Sequence, residues 1–503
     1  MRKKKLVLNS SSSLIFQLIL LLSGFILPRI IIGAFGSEIN GLVNSITQYL
    51  SIVSFLELGI GAVVISALYE PLAEKNNILI SQICVSAEKF FKTLARILLV
   101  YVIILIIVFP RITNSRYDAM FTGILIVSIS INSFAQYYFG IVNQLLLTAD
   151  QKIYIHNVVQ SLTLILNLII SIILIKLNCS IQVVKLASSV VFVLRPIYLD
   201  IYVRKNYKID NKITYDKEPI RQKWNGVAQH IAAIVLDSTD IIILSTFSSF
   251  ANVSIYSVYR LVLNGMRTLI QMFNRGFHSL LGELWAKKEY DNVLNTFSWM
   301  EWLINTITTL IFGCCIVLVV PFVQVYTSGI NDANYTQPTF AFIISIAFLL
   351  NCVSIPYHTM ILAVGHYKET QHYFIISAIL NLFLSIISVA RFGLIGVAIG
   401  TLVAMAFQMG WMTIYVSKVI LKRSYSIIVR FVVVEVVSII LGMSVCRWLF
   451  VFSVSSYLEW ILLAMKVVAV WLIISVLMNG LFFNEKLRTI RKKIMRKNVN
   501  GAT

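Results

Sequence analysis

The sequence predicts an all-α membrane protein of about fourteen transmembrane helices, in two pseudo-symmetric six-helix lobes around a central cavity, with two more helices at the C-terminus. Three observations predict it. The 503 residues are 58% apolar and only 13% charged, about half the charge of an ordinary soluble domain. The apolar residues come in blocks, such as Ile97–Phe109 and Leu162–Ile175, rather than at helical period around polar faces. The chain also resembles itself at a nearly constant offset.

A bilayer core is ~30 Å thick, so a spanning helix needs about 20 mostly apolar residues. Hydropathy places spans at 10–35, 39–69, 90–110, 118–148, 153–175, 180–203, 222–247, 252–281, 298–326, 335–364, 371–390, 393–417, 425–449 and 456–483. The apolar stretch from Leu14 to Ala34 is long and has no small-x-small cleavage site, so it reads as a first span rather than a signal peptide. The connections are short, which excludes an inserted soluble domain.

Basic residues set the orientation. With the N-terminus inside, the cytoplasmic segments hold 28 of the 42 Lys and Arg, clustered at Arg2–Lys5, Arg204–Lys223 and Lys486–Lys497. The outer connections hold five: Arg111, Arg116, Lys176, Arg391 and Arg447. This bias puts both termini in the cytoplasm and checks the span count, since a miscounted helix would scramble the alternation. The formal charge of +20 is therefore topogenic and favours anionic membrane lipid. A solvated, lipid-facing run explains the basic segments, and no nucleic-acid partner is predicted.

The internal matches are short but consistently spaced. Asn167-Leu-Ile-Ile-Ser-Ile-Ile173 matches Asn381-Leu-Phe-Leu-Ser-Ile-Ile387, and Tyr202-Val-Arg-Lys205 matches Tyr415-Val-Ser-Lys418. Arg29-Ile-Ile-Ile32 matches Asp240-Ile-Ile-Ile243. An offset spanning six helices, an even number, gives both halves the same topology, and in transporters built this way the substrate site lies between the repeats. The expected organisation is an N-terminal lobe over 1–205, a cytoplasmic linker over 206–221, a C-terminal lobe over 222–420, the last two spans over 421–484 and a basic tail over 485–503.

A charge at a helix centre costs about 2.5–3.5 kcal/mol on insertion scales, so intramembrane charges mark cavities, partners or interfaces. In the eighth span Arg260, Asn264, Arg267, Gln271, Asn274 and His278 recur at helical spacing within about 80° of arc. Such a stripe cannot face acyl chains. It lines either a cationic cavity or a polar helix–helix interface, and Arg260, Asn264, Arg267 and Gln271 are the candidate substrate-binding residues. Asn40, Asn44, Gln48 and Ser51 form a comparable stripe in the second span. Arg29, after Pro28, joins the candidates, because a proline can open a helix backbone towards a cavity. Asp237 and Asp240 share one face of the seventh span and read as a coupling-cation site or as salt-bridge partners of Arg29 or Arg260. Glu57 reads as a structural partner or part of a gate. Arg195 reads as a snorkelling side chain and Glu301 as an interfacial one. Arginine's rigid fork suits phosphate, so an arginine-rich cavity points to a phosphate or pyrophosphate substrate.

There is no phosphate-binding G-x-x-x-x-G-K-[ST] loop, nucleophile elbow or metal-ligand cluster. The six cysteines lack metal-ligand spacing. No cofactor, metal or enzymatic chemistry is predicted; the expected task is transport.

Arg29-Ile-Ile-Ile-Gly-Ala-Phe-Gly36, Gly41-Leu-Val-Asn44, Tyr49 and Leu56-Glu-Leu-Gly-Ile60, with Asp240-Ile-Ile-Ile243 and Tyr256-Ser257, resemble the pattern of the Wzx-type polysaccharide flippases of the MOP superfamily. Leu42-Val43 departs from it, where the family usually has a tyrosine. The resemblance covers nearly the whole chain. It implies a transporter in the bacterial plasma membrane that flips undecaprenyl-pyrophosphate-linked oligosaccharide from the inner to the outer leaflet by alternating access, for capsule, O-antigen or exopolysaccharide synthesis. It also implies a polysaccharide polymerase and chain-length machinery as partners, and pyrophosphate contacts from Arg29, Arg260 and Arg267. Two alternatives are a cation-coupled multidrug exporter of the same superfamily, which would favour an acidic cavity, and a membrane polymerase or ligase, which the short outer loops disfavour.

Overall fold

The computed structural model describes residues 2–57, 59–113, 117–210, 212–214 and 227–489, without the side chains of 2–4, 6, 227–230, 233, 237 and 275. Half of the expected linker and most of the basic tail therefore lie outside the described residues, as does the side chain of Asp237. Among the described residues all regular elements are helical: α1 (Arg2–Ser51), α2 (Ile60–Glu74), α3 (Asn77–Ile112), α4 (Ala119–Ala135), α5 (Ile141–Ala149), α6 (Ile153–Lys176), α7 (Ile181–Asn206), α8 (Val227–Phe247), α9 (Phe250–Ala286), α10 (Tyr290–Tyr326), α11 (Pro338–Val353), α12 (Ile355–Val364), α13 (Tyr367–Phe392), α14 (Leu394–Tyr415), α15 (Ser426–Leu449) and α16 (Tyr457–Phe482).

Among the described residues eleven segments are long and apolar enough to cross a membrane. The second, seventh and eighth predicted spans do not stand as separate long apolar helices, each for a local reason. The second continues from the first in α1, with a break at Gly36 (φ 85°, ψ 170°), a conformation open to glycine. It is interrupted again by a 3₁₀ turn, Ile52–Glu57, and resumes in α2 after Gly59 (φ 74°). The seventh begins in residues outside the described set, and its apolar part is short, Ser238–Phe247. The eighth, α9, carries the polar stripe. Other spans are continuous in path but not in geometry. A π-helical turn, Gln136–Gly140, joins α4 to α5. A break at Ser354 separates α11 from α12, whose first turn holds Pro356, a residue with no N–H to continue the ladder. Large apolar side chains such as Ile103, Ile107, Ile440, Ile473 and Val476 are exposed along the helices, the surface a bilayer covers. The chain is a multi-pass membrane protein.

The chain divides into two compact units, Met1–Ser254 and Ile255–Thr503. The first packs α1 against α6 and α8, and α7 against α4 and α6. A Cβ on Gly41 would lie 1.7 Å from the Phe250 carbonyl oxygen, so only glycine lets these two backbones approach. Asn40 Nδ2 donates to Ser254 Oγ (2.7 Å) and Tyr49 bonds the Thr246 hydroxyl (2.8 Å) at the same contact. At one end of this unit four predicted cytoplasmic segments converge. Lys5 and Lys152 pair with Asp150 (3.2 and 2.7 Å), and the Tyr207 hydroxyl donates to the same carboxylate (2.5 Å). The Ser81 hydroxyl accepts from the Asp210 N–H (3.0 Å).

In the second unit α10 packs against α11, α15 and α16, and α14 against α11 and α13. The repeated Asn-x-x-x-Ser motif does matching work in the two units. Asn167 and Ser171 are buried where α6 meets α7, with Ser171 Oγ 3.5 Å from Ser188 Oγ. Asn381 and Ser385 are buried where α13 meets α14, with Asn381 Nδ2 donating to Thr401 Oγ1 (3.1 Å). Two further contacts tie loop residues to helix ends: His366 Nδ1 bonds the Tyr415 hydroxyl (3.0 Å) and Lys486 donates to Ser298 (2.9 Å).

Candidate functional site

The polar stripe on α9 runs from Arg260 to His278. Arg260, Asn264, Arg267, Gln271 and Asn274 are half-buried and His278 is exposed. All belong to the second unit. Asn274 Nδ2 donates to Thr359 Oγ1 on α12 (2.8 Å), so the far end of the stripe partly serves helix packing. Arg267 lies within electrostatic range of Cys352 and His358, on the α11–α12 side. Two half-buried arginines on one helix carry the planar N–H forks that suit an anion.

The first unit holds Arg29, Glu57 and Asp240. The Arg29 side chain is half-buried and reaches along α1 towards Gly33, its Nη1 3.2 Å from where a Cβ on that glycine would stand. Glycine at 33 thus leaves the guanidinium its place. Glu57 Oε1 accepts from the Tyr137 hydroxyl in the π-helical turn (2.5 Å). Asp240 is buried on α8. The stripe on the second span is engaged in packing: Asn40 bonds Ser254, Asn44 bonds its own helix at the Asn40 carbonyl, and Gln48 bonds Ser51.

No family model matches the chain, and no curated protein matches it. Solved structures do. Lipid II flippase MurJ, in an inward closed conformation, is 13% identical with a TM-score of 0.66, over 96% of this chain and 100% of that one. An inward-facing multidrug resistance MATE transporter of the MOP superfamily is 13% identical with a TM-score of 0.61, over 82% of this chain and 98% of that one. The MATE multidrug transporter DinF-BH is 14% identical with a TM-score of 0.55, over 83% and 95%.

The chain has the fold of these transporters. That fold gives a local reason for each motif glycine and acid at the N-terminus. Gly36 makes the break in α1, Gly41 admits the Phe250 backbone, and Glu57 places its carboxylate on Tyr137 two residues before Gly59, the left-handed residue that starts α2. Among the described residues no group of three or more His, Cys, Asp or Glu is placed to hold a metal ion, and none of the six cysteines is in a disulfide.

Two polar nodes differ from expectation. Glu301, expected at the membrane interface, is fully buried. Arg423 Nη1 donates to its Oε2 (2.6 Å), Arg423 Nη2 to its Oε1, and the Tyr357 hydroxyl to its Oε1 (2.6 Å). Burial opposes the charge on Arg423, but the Glu301 carboxylate outweighs it and holds the guanidinium's pKa up. A buried pair survives only when its remaining lone pairs are also satisfied, which Tyr357 helps to do. Arg195, expected to snorkel, instead donates through Nε to Thr163 Oγ1 (2.5 Å) and stacks over Phe192. Neither node is visible in sequence, since the partners lie 122 and 32 residues apart. In the loop node, burial pushes the Asp150 carboxyl up, yet hydrogen bonds from Lys152, Tyr207 and Lys5 bring it below its ordinary value.

Proposed function

We propose that the chain flips undecaprenyl-pyrophosphate-linked oligosaccharide from the inner to the outer leaflet of the bacterial plasma membrane by alternating access. In this reading it has fourteen spans, with both termini in the cytoplasm, and two six-helix lobes followed by two C-terminal helices. Arg29, Arg260 and Arg267 engage the pyrophosphate, with Asn264 and Gln271 beside them, and Asp237, Asp240 and Glu57 serve the conformational cycle as salt-bridge or coupling-ion groups. A polysaccharide polymerase and chain-length machinery are its partners.

The half-buried arginine stripe on α9 carries this reading. Positive charge on a transport fold favours an anionic headgroup and disfavours the cationic drugs that an acidic cavity would suit. Length supports it as well: the flippase MurJ aligns along 96% of this chain, against 82% for the MATE transporter. Complementation of a flippase-deficient strain tests the proposal. Restored surface polysaccharide supports it. Drug resistance on overexpression without restored polysaccharide would favour the multidrug exporter instead.

A further inference from the structure

The second unit contains a carboxyl group that the proposed transport chemistry does not use. Glu435 lies near the middle of α15, is 6% exposed, and makes no hydrogen bond or ion pair. It borders a cavity of about 20 Å³ between α10, α15 and α16, lined also by Asn305, Thr309, Ser438 and Asn479. Asn305 is 3% exposed. Its Nδ2 is committed to the Glu301 carbonyl (2.7 Å), which fixes the amide orientation and leaves Oδ1 as a buried acceptor with no donor. Asn479 is satisfied by Trp302, Thr306 and the Ser475 carbonyl.

Two residues lining one small cavity therefore each carry a buried acceptor oxygen without a hydrogen-bond partner, Trp471 in the same lining keeps a buried Nε1–H that bonds neither of them, and the charges around the cavity are already occupied or point elsewhere. On α10 the nearest acid is Glu301, one turn from Asn305, neutralised by Arg423. Tyr357 on α12 lies within electrostatic range of Glu435 but donates to Glu301. Arg430 on α15 and Lys466 on α16 are exposed. Lys486, beyond α16, bonds Ser298 and stacks over Trp299. A bare carboxylate in such a place costs several kcal/mol, and intramembrane carboxyls without a protein partner are characteristically ion or proton sites. The cavity has room for about one water-sized occupant.

We propose that Glu435 and Asn305 form a binding site for a single monovalent cation, a proton or Na⁺, between α10, α15 and α16. A proton on Glu435 supplies the missing donor; Na⁺ supplies the missing positive charge to both oxygens. The inference does not depend on the transported substrate, because its readout is the state of one side chain.

The test uses the full-length protein purified into lipid nanodiscs. Labelling by an apolar carbodiimide, which reacts with protonated carboxyls in apolar surroundings, is mapped by peptide mass spectrometry across pH 5–9, with Na⁺ or choline as the added cation. In parallel, infrared pH-difference spectra of wild type and Glu435→Gln, a substitution of the same shape, read the carboxyl directly. A pH-dependent label and a titrating carboxyl band lost in Glu435→Gln support the proton form. Protection by Na⁺ but not choline supports the Na⁺ form, and Asn305→Leu should weaken either occupant about tenfold. A Glu435 carboxyl whose infrared band and labelling respond to neither pH nor Na⁺ would overturn the proposal.

Discussion

Replacing Arg423 with alanine should strongly destabilise the second unit. The Glu301 and Arg423 side chains are only 1% and 5% exposed, so neither solvent nor salt can take over for the missing partner. The substitution removes two charge-assisted hydrogen bonds and leaves a buried carboxylate with Tyr357 alone. Removing one partner of a buried pair costs about 3–5 kcal/mol. For a unit of this size each kcal/mol is worth about 2–4 °C, so the midpoint should fall by roughly 10 °C. Intrinsic fluorescence during heating of the detergent-purified protein reads this, helped by Trp299 and Trp302 beside Glu301. Removing the charge with Glu301→Gln in the same chain should recover much of the loss. Lys287→Ala breaks the exposed i,i+4 pair with Glu283 (58% and 60% exposed) and serves as the reference, since such pairs contribute little. An Arg423→Ala midpoint no lower than that of Lys287→Ala would refute the reasoning.

Further outcomes follow from other contacts. A Cβ on Gly442 or Gly313 would sit 2.3 Å from the buried Trp471 ring. Gly442→Ala should therefore lower stability by about 1–3 kcal/mol, and Trp471→Phe in the same chain should restore part of it, both read by thermal unfolding. Gly41→Leu, directed at the Phe250 backbone, should abolish folded protein in size-exclusion chromatography, whereas Gly410→Ala, where a Cβ meets nothing, should not. Asp150 has its pKa held down by Lys152, Tyr207 and Lys5. The stability it contributes is fully present above the unfolded carboxylate value of ~3.9 and lost as pH falls through the lower folded one. Asp150→Asn should thus destabilise at neutral pH, and its midpoint should converge on that of wild type below about pH 4 in a pH series of melting curves.

What the sequence made legible was set by long-range averages. Hydropathy located the eleven long apolar helices because each integrates some twenty residues. Lys5, Lys152 and Tyr207 come from three segments read as cytoplasmic and meet on one carboxylate, that of Asp150. The Asn-x-x-x-Ser repeat was informative because its polar groups sit at the same kind of helix contact twice. The breaks at Gly36 and Ser354 and the π-helical turn at Gln136–Gly140 were missed, since hydropathy is blind to backbone geometry. Glu301 was read as interfacial because a partner 122 residues away leaves no local pattern. The arginine stripe on α9 was legible because six polar residues keep helical spacing on an otherwise apolar span.

The central claim is that those arginines recognise a pyrophosphate-linked lipid. Its most direct measurement is transbilayer movement of an undecaprenyl-pyrophosphate-linked oligosaccharide in proteoliposomes, comparing wild type with Arg260→Ala, Arg267→Ala and Arg260→Lys, each checked for unchanged melting. A charge-assisted hydrogen bond contributes about 1.5–3 kcal/mol, so each alanine variant should lose about tenfold to a hundredfold in rate, with Arg260→Lys between it and wild type. Wild-type rates in folded Arg260→Ala and Arg267→Ala would contradict the account.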